Sequence, residues 1–295
     1  MRDQAESLRQ MARNAHSVIK SAAVKQAKTQ ARVIAVTSGK GGVGKTNLTV
    51  NLALALANMD QKVLIIDADL GLANVEFIFG VSPQYNLMHF LDEGYLLNDI
   101  VVDGPRGVKF MSGGSGIPQL ANLSEAHLGR IISQMVQFDQ WADIIIVDTG
   151  AGLHRNVINF VMAADEVIII TTPEPTAIAD AYAMMKTYAA NYGRAPLKLV
   201  VNRVLDNAEG QMVVDKLIKV SLRFLGLSIS SLGFVYEDPN MIKAVKSQVP
   251  LLLAHPASSS ARCIENIAHH LLHGDAIVRP TGIKGFFNKF LGQMR

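Results

Sequence analysis

The sequence predicts a doubly wound, mostly parallel α/β sheet flanked by helices, and two observations carry that prediction. Seven short apolar runs rich in β-branched residues recur along the chain, with helical patterns between most of them. Such runs read as strands buried on both faces, and helical crossovers between them imply parallel pairing. Between the first run and the first helical pattern sits a glycine-dense loop, Ser38-Gly39-Lys40-Gly41-Gly42-Val43-Gly44-Lys45-Thr46.

The elements follow in order. Val33-Ile34-Ala35-Val36 is the first strand, and the Ala/Leu-rich stretch from Asn47 to Met59 is a buried helix. Val63-Leu64-Ile65-Ile66 is the second strand, ending in Asp67-Ala68-Asp69. Later strands are expected at Val108–Met111, Ile144–Val147, Val167–Ile170, Leu197–Val201 and Ile229–Val235. Helices are expected at Glu125–Phe138, Thr176–Ala190 and Glu209–Phe224. No internal repeat and no long low-complexity linker divides the body. The expected organisation is a basic leader over 1–32, one domain over 33–275, and a linker with a terminal helix over 276–295.

Composition narrows the function classes. A chain of 295 residues with 49% hydrophobic and 18% charged residues can bury one full α/β core. One cysteine, Cys263, gives no intrachain disulfide framework and no Cys-based metal cluster. No stretch approaches about 18 uninterrupted apolar residues and the N-terminus lacks an apolar signal core, so a cytoplasmic location is expected. The net charge of +3 hides an asymmetry. Residues 1–32 carry seven basic and two acidic side chains, and residues 279–295 carry four basic and none acidic, which leaves −6 on the body. Basic ends on a weakly acidic body suit appendages that meet something anionic, and argue against a broad nucleic-acid face.

The loop carries the chemistry. A glycine-rich turn between strand and helix presents bare N–H groups at the positive end of a helix dipole, an arrangement that binds phosphate. Gly39 to Thr46 fits G-x-x-x-x-G-K-[ST], which places Lys45 for the β/γ-phosphates and Thr46 for Mg²⁺. Ligands in such sheets gather at the carboxyl ends of the strands, where Asp67, Asp69 and Asp148 fall. Asp148 closes an apolar strand, a position from which a carboxylate can hold Mg²⁺. A second lysine, Lys40, costs charge repulsion unless a second negative site needs it.

These segments resemble the MinD/ParA family, whose deviant Walker A loop reads K-G-G-x-G-K-[ST]. The resemblance covers about residues 33–250. It implies an ATPase with Mg²⁺ as cofactor, in which the early lysine, Lys40 here, reaches across a dimer interface to the partner's nucleotide. It implies nucleotide contacts from Gly39, Lys40, Gly41, Gly42, Val43, Gly44, Lys45, Thr46 and Asn47. Asp67-Ala68-Asp69-Leu70-Gly71-Leu72-Ala73-Asn74 resembles switch I, with Asp69 positioning the hydrolytic water and Asp67 near the metal. Asp148-Thr149-Gly150-Ala151-Gly152 resembles switch II, with Asp148 toward Mg²⁺. Many relatives carry proline where Gly150 stands, so a more mobile switch is expected. Asn202 matches the asparagine that reads the adenine edge, and Tyr236-Glu237-Asp238-Pro239 lies where the family closes over the base, with Glu237 facing the nucleotide. The implied output is slow ATP hydrolysis governing a monomer–homodimer cycle.

The two ends select a branch of that family. Ile283, Phe286, Phe287, Phe290, Leu291 and Met294 fall at offsets 0, 3, 4, 7, 8 and 11, one complete helical face. Lys284, Lys289 and Arg295 surround that face, which suits shallow insertion into an anionic membrane surface; docking on its own domain is the other reading. At the N-terminus, Asp3-Gln4-Ala5-Glu6-Ser7-Leu8-Arg9 resembles the D-Q-A-x-x-L-R motif of the FlhG/FleN family of flagellar-number regulators. In that family the motif activates a signal-recognition-type GTPase, FlhF, which makes Asp3, Gln4, Ala5, Leu8 and Arg9 partner contacts by resemblance. The resemblance also implies flagellar basal-body switch proteins and a flagellar transcription regulator as partners, and a place at the inner face of the cytoplasmic membrane. A division-site or cargo-positioning ATPase, and a nucleotide-gated binding module that hardly hydrolyses, remain as alternatives. His269 and His273 lie one helical turn apart but lack an acidic or cysteine partner at motif spacing, and read as a solvated helix end.

Overall fold

The computed structural model describes residues 30–69, 74–86, 89, 94–112, 125–274, 278 and 280–294. Asp3, Gln4, Ala5, Leu8 and Arg9, and Leu70 to Ala73 of the first switch, lie outside these. Eight strands form one sheet in the order β3-β4-β2-β5-β1-β6-β7-β8. They are β1 (Arg32–Ser38), β2 (Val63–Ala68), β3 (Val101–Asp103), β4 (Lys109–Ser112), β5 (Ile144–Ala151), β6 (Glu166–Thr171), β7 (Leu197–Val204) and β8 (Ile229–Tyr236). Every pairing is parallel except β3 with β4.

The seven apolar runs all lie in strands or at their edges. The strand without a sequence signal is β3, whose three residues are too few to show a period. Its antiparallel pairing closes one edge of an otherwise parallel sheet, a common device in doubly wound folds.

Helices cover both faces. Against one lie α1 (Lys45–Ala57) and the short α2 (Asn74–Phe79), which pack Leu48, Leu52, Val75 and Ile78 onto Ile34, Ile65 and Ile146. Against the other lie α4 (Glu125–Trp141), α5 (Arg155–Ala163), α6 (Pro175–Ala190) and α7 (Asn207–Leu225). A single-turn α3 (Leu97–Ile100) leads into β3. Beyond β8 the chain forms α8 (Pro239–Lys246), α9 (Leu251–Ala254) and α10 (Ser259–His273), the last returning onto α1.

The terminal helix, α11 (Gly282–Met294), takes the helical periodicity expected of it. Its apolar face lies on the body: Ile283, Phe286, Phe287 and Phe290 are buried in the same core as α4 and α5, with Leu291 packed at the edge. Phe160 of α5 stacks on Phe290 at 4.4 Å and on Phe286 at 6.1 Å between ring centroids.

Candidate functional site

Strand order creates the site. β1 sits between β5 and β6, and β5 sits between β2 and β1, so three loaded strand ends are neighbours. Asp67 and Asp148 are direct partners in the β2–β5 register, and Val36, just before the glycine loop, is Asp148's partner on the other side.

The loop feeds into α1 through Gly44, whose φ of 92° is left-handed and whose β-carbon would lie 2.4 Å from Asn202 Nδ2. Glycine is required there on both counts. The start of α1 has no side-chain cap and no acidic residue in its first turn, so its orphan N–H groups face the loop's concavity. Gly39 approaches α6 so closely that a β-carbon would stand 2.1 Å from the Asp180 carbonyl oxygen.

Beneath the loop three donors converge on one buried carboxylate. Lys45 Nζ donates to Asp148 Oδ1 at 2.9 Å, Thr46 Oγ1 to Oδ2 at 2.7 Å, and Thr49 Oγ1 to Oδ1 at 2.9 Å. Asp67 is held by amides instead. Its Oδ1 accepts from Asp69 N at 3.1 Å, and its Oδ2 from Asn74 N at 2.9 Å and Val75 N at 3.1 Å. Burial pushes the Asp67 carboxyl up to about 7, with the neighbouring Asp148 adding to the rise. Asp69 lies at the mouth, where its Oδ2 accepts from Asn74 Nδ2 at 3.4 Å and its carboxylate sits beside Gly150.

Two hard-oxygen carboxylates on adjacent strands and the hydroxyl of Thr46 make a donor set that fits Mg²⁺, which takes few protein ligands and completes its shell with phosphate and water.

Two hollows flank the loop. One, of 380 Å³, is lined by Gly41, Gly42, Lys45, Thr46, Asp69 and Phe77, among others. The other, of 480 Å³, lies beyond Gly44 and Asn47 and includes Asn202, Tyr236, Glu237 and Met241. Asn202 Nδ2 donates to the Val43 carbonyl at 2.8 Å, tying the end of β7 to the loop. The two hollows adjoin, sharing Gly44, Asn47, Arg203 and Val245. Asp69 lines the one and Asn202 and Glu237 the other, Asp148 is buried under Lys45 and Thr46 with Asp67 beside it, and α11 lies away on the α4/α5 side.

Lys40 does not join that cluster. Its Nζ donates to Glu174 Oε2 at 3.1 Å and to Thr176 Oγ1 at 3.0 Å, at the start of α6.

Several participants are absent from the sequence reading. Thr49 lies one helical turn beyond Thr46, a spacing that could have flagged it. Arg203 lines both hollows with a left-handed φ of 61°, a conformation its residue type gives no reason to expect. Met241, Ile242 and Val245 form the apolar wall of the larger hollow from α8, whose role depends on where α8 folds back. Near the end of α10, the His269 and His273 rings lie tilted at 51° with centroids 4.6 Å apart, and His270 and His273 sit in the last turn, at the negative end of the helix dipole.

Comparison with known proteins agrees with this geometry. The family model ParA, described as NUBPL iron-transfer P-loop NTPase, matches residues 29–272. The chain is 36% identical to the antiactivator FleN of Pseudomonas aeruginosa over 262 residues, 89% of this chain and 94% of FleN. It is 34% identical to the flagellum site-determining protein YlxH of Helicobacter pylori, covering 90% of this chain and 91% of YlxH. Among solved structures, the MinD cell division protein of Aquifex aeolicus superposes with a TM-score of 0.65 at 25% identity, over 84% of this chain and 99% of that one.

Proposed function

The chain belongs to the ParA/MinD family of P-loop NTPases, with FleN and YlxH among its relatives, and from that premise we propose that it is an ATP-hydrolysing switch that regulates flagellar number or placement. Members of this family are ATPases. The observation that carries the proposal is the convergence of Lys45, Thr46 and Thr49 on Asp148, at the glycine-rich loop and beside Asp67.

The chain's own residues supply the following chemistry. The loop amides and Lys45 bind the polyphosphate of ATP; Lys45 exchanges its bond to Asp148 for phosphate oxygens and neutralises charge developing on the transferred group. Mg²⁺, when bound, adds electrostatic stabilisation to that group, and Thr46, Asp67 and Asp148 are the residues that would hold it. Asp69, steadied by Asn74, stands where the crevice opens and orients the attacking water. Asn202 and Glu237 mark the base end of the crevice. Lys40, now bonded within its own chain, turns to the nucleotide of a second copy, which makes the ATP-bound state a homodimer.

The terminal helix is the output. Its phenylalanine face is covered by α4 and α5 in this structure, and α5 begins directly after the second switch. Closure of two copies around ATP shifts α5, weakens the Phe160 stack and releases α11 to an anionic membrane surface. Two helices on one dimer gain by avidity what one lacks. Among the described residues no helix is long and apolar enough to cross a membrane, so the attachment proposed is peripheral. Through residues 3–9 the protein activates an FlhF-type GTPase, and its body engages flagellar base proteins and a transcription regulator. Iron transfer is not proposed, because the single Cys263 gives no thiolate pair within one subunit.

Phosphate release from ATP by the purified chain, with and without anionic vesicles, tests the reading. Hydrolysis that is lost in Asp69→Ala, while that variant still dimerises with ATP, supports it. Wild-type turnover in Asp69→Ala removes the water-orienting role, and no ATP turnover by wild type removes the switch.

A further inference from the structure

The first turn of α11 is capped by carboxylates from elsewhere in the chain. No acidic residue lies in that turn, so its orphan N–H groups look outward for partners. Asp139, near the end of α4, accepts from Ile283 N at 2.7 Å, and the Lys284 amide adds to it. Asp165, between α5 and β6, accepts from Thr281 Oγ1 at 2.6 Å and from Thr281 N at 3.2 Å. Lys289 Nζ reaches the same corner, 3.6 Å from Asp165 Oδ1 and 3.2 Å from Thr281 Oγ1. Gly282 passes over Asp139 with a φ of 67°, and a β-carbon there would stand 2.7 Å from Asp139 Oδ2.

The same two carboxylates hold the junction between the N-terminal leader and β1. Asp165 Oδ2 accepts from Val33 N at 3.1 Å, and the Ala31 amide points to Asp139. Arg32, between them, pairs with Glu166, the residue next to Asp165. Burial pushes the Asp139 carboxyl up, the amides of Ile283, Lys284 and Ala31 pull it down, and Asp165 pushes it up again. The pair is therefore stabilised jointly by donors from residues 31–33 and from residues 281–284. Withdrawing α11 removes the donors of Thr281, Ile283 and Lys284 together, leaving two nearby carboxylates with only the Ala31 and Val33 amides and incoming water.

We propose that Asp139 and Asp165 are a shared anchor coupling the docking of α11 to the hold on residues 31–33, so that undocking frees the leader at its root and presents both appendages from one corner of the body. The membrane and partner roles of those appendages rest on the function proposed above; the coupling itself does not.

Amide hydrogen exchange on the full chain tests it, with two variants that undock α11 by different means. Gly282→Ala drives a β-carbon into Asp139, and Phe290→Asp puts a charge into the aromatic stack without touching the anchor. The expected result in both is about tenfold or more faster exchange over 283–290 and, in step, over 31–33, with residues 39–46 unchanged. Opening of 283–290 with 31–33 at the wild-type rate overturns the coupling. Protection of 283–290 in both variants also overturns it, since the anchor would then not control docking. Vesicle flotation of the same variants separates the two ideas: coupled opening without vesicle binding leaves the anchor standing and removes the membrane reading.

Discussion

Glu174 Oε2 accepts a hydrogen bond from Lys40 Nζ at 3.1 Å, so the first lysine of the phosphate loop is held by its own α6 rather than turned into its own nucleotide crevice. Two exposed side chains 134 positions apart make this contact, and exposed pairs of this kind are worth about 0.2–1 kcal/mol. A latch so weak can be exchanged for a phosphate. Glu174→Ala is expected to tighten ATP-dependent dimerisation by about two- to fivefold, and Lys40→Ala to abolish it. Sedimentation velocity with ATP reads both, and unchanged dimerisation in Lys40→Ala would end the trans role.

Thr49→Val removes the third donor from Asp148 while keeping shape and burial. Loss of one donor to a buried charge costs about 1–3 kcal/mol. Thermal unfolding should shift down accordingly and ATP turnover should fall, with both recovered by Thr49→Ser. Recovery of stability without turnover would give Thr49 a structural role only.

Asp67 sets a pH dependence in the nucleotide-free protein. In the unfolded chain it ionises near 3.8, whereas in the fold it does so at about 7. Between those values the folded protein keeps a proton that the unfolded chain has released. Its contribution to stability is thus fully present below 3.8 and is lost as pH rises through about 7. Asp67→Asn, which retains an acceptor for Asn74 N and Val75 N, should flatten the fall in melting temperature over that window. An identical slope in both proteins would show that other groups dominate.

Phe290→Ala strips the ring that stacks on Phe160 at 4.4 Å. In a fixed core such a change costs about 3–5 kcal/mol. A releasable helix caps that cost at the free energy of undocking. A smaller loss of stability, accompanied by vesicle binding without ATP, is therefore expected; a full core-sized loss with no vesicle binding would mark α11 as permanently docked.

A peptide of residues 1–20 should stimulate GTP hydrolysis by the cognate FlhF-type GTPase, and Leu8→Ala or Arg9→Ala should remove the effect. No stimulation of an active GTPase would leave a positioning ATPase without its flagellar partner.

Much of the site is legible in the residues because its parts are local. The glycine loop, the strand before it and the helix after it are contiguous, and Asp67 and Asp148 each close an apolar run. What is not legible is conformational or distant. Arg203 adopts a left-handed φ at a register shift in β7, which its side chain does not encode. α5 went unseen as a helix, although its Phe160 links the switch side of the fold to α11.

The sequence by itself determined that a phosphate loop opens a parallel sheet, that carboxylates stand at its strand ends, and that residues 283–294 have one apolar face. Periodicity records that a face must leave water, and spacing records which groups share a turn. Neither records the surface that receives them. Only the tertiary structure decided that this face is covered by α4 and α5, that Lys40 is tied to Glu174, and that residues 31–33 and 281–284 meet at Asp139 and Asp165. Those contacts join residues more than a hundred positions apart, and it is the packing of helices and loops against the ordered sheet that brings them within reach.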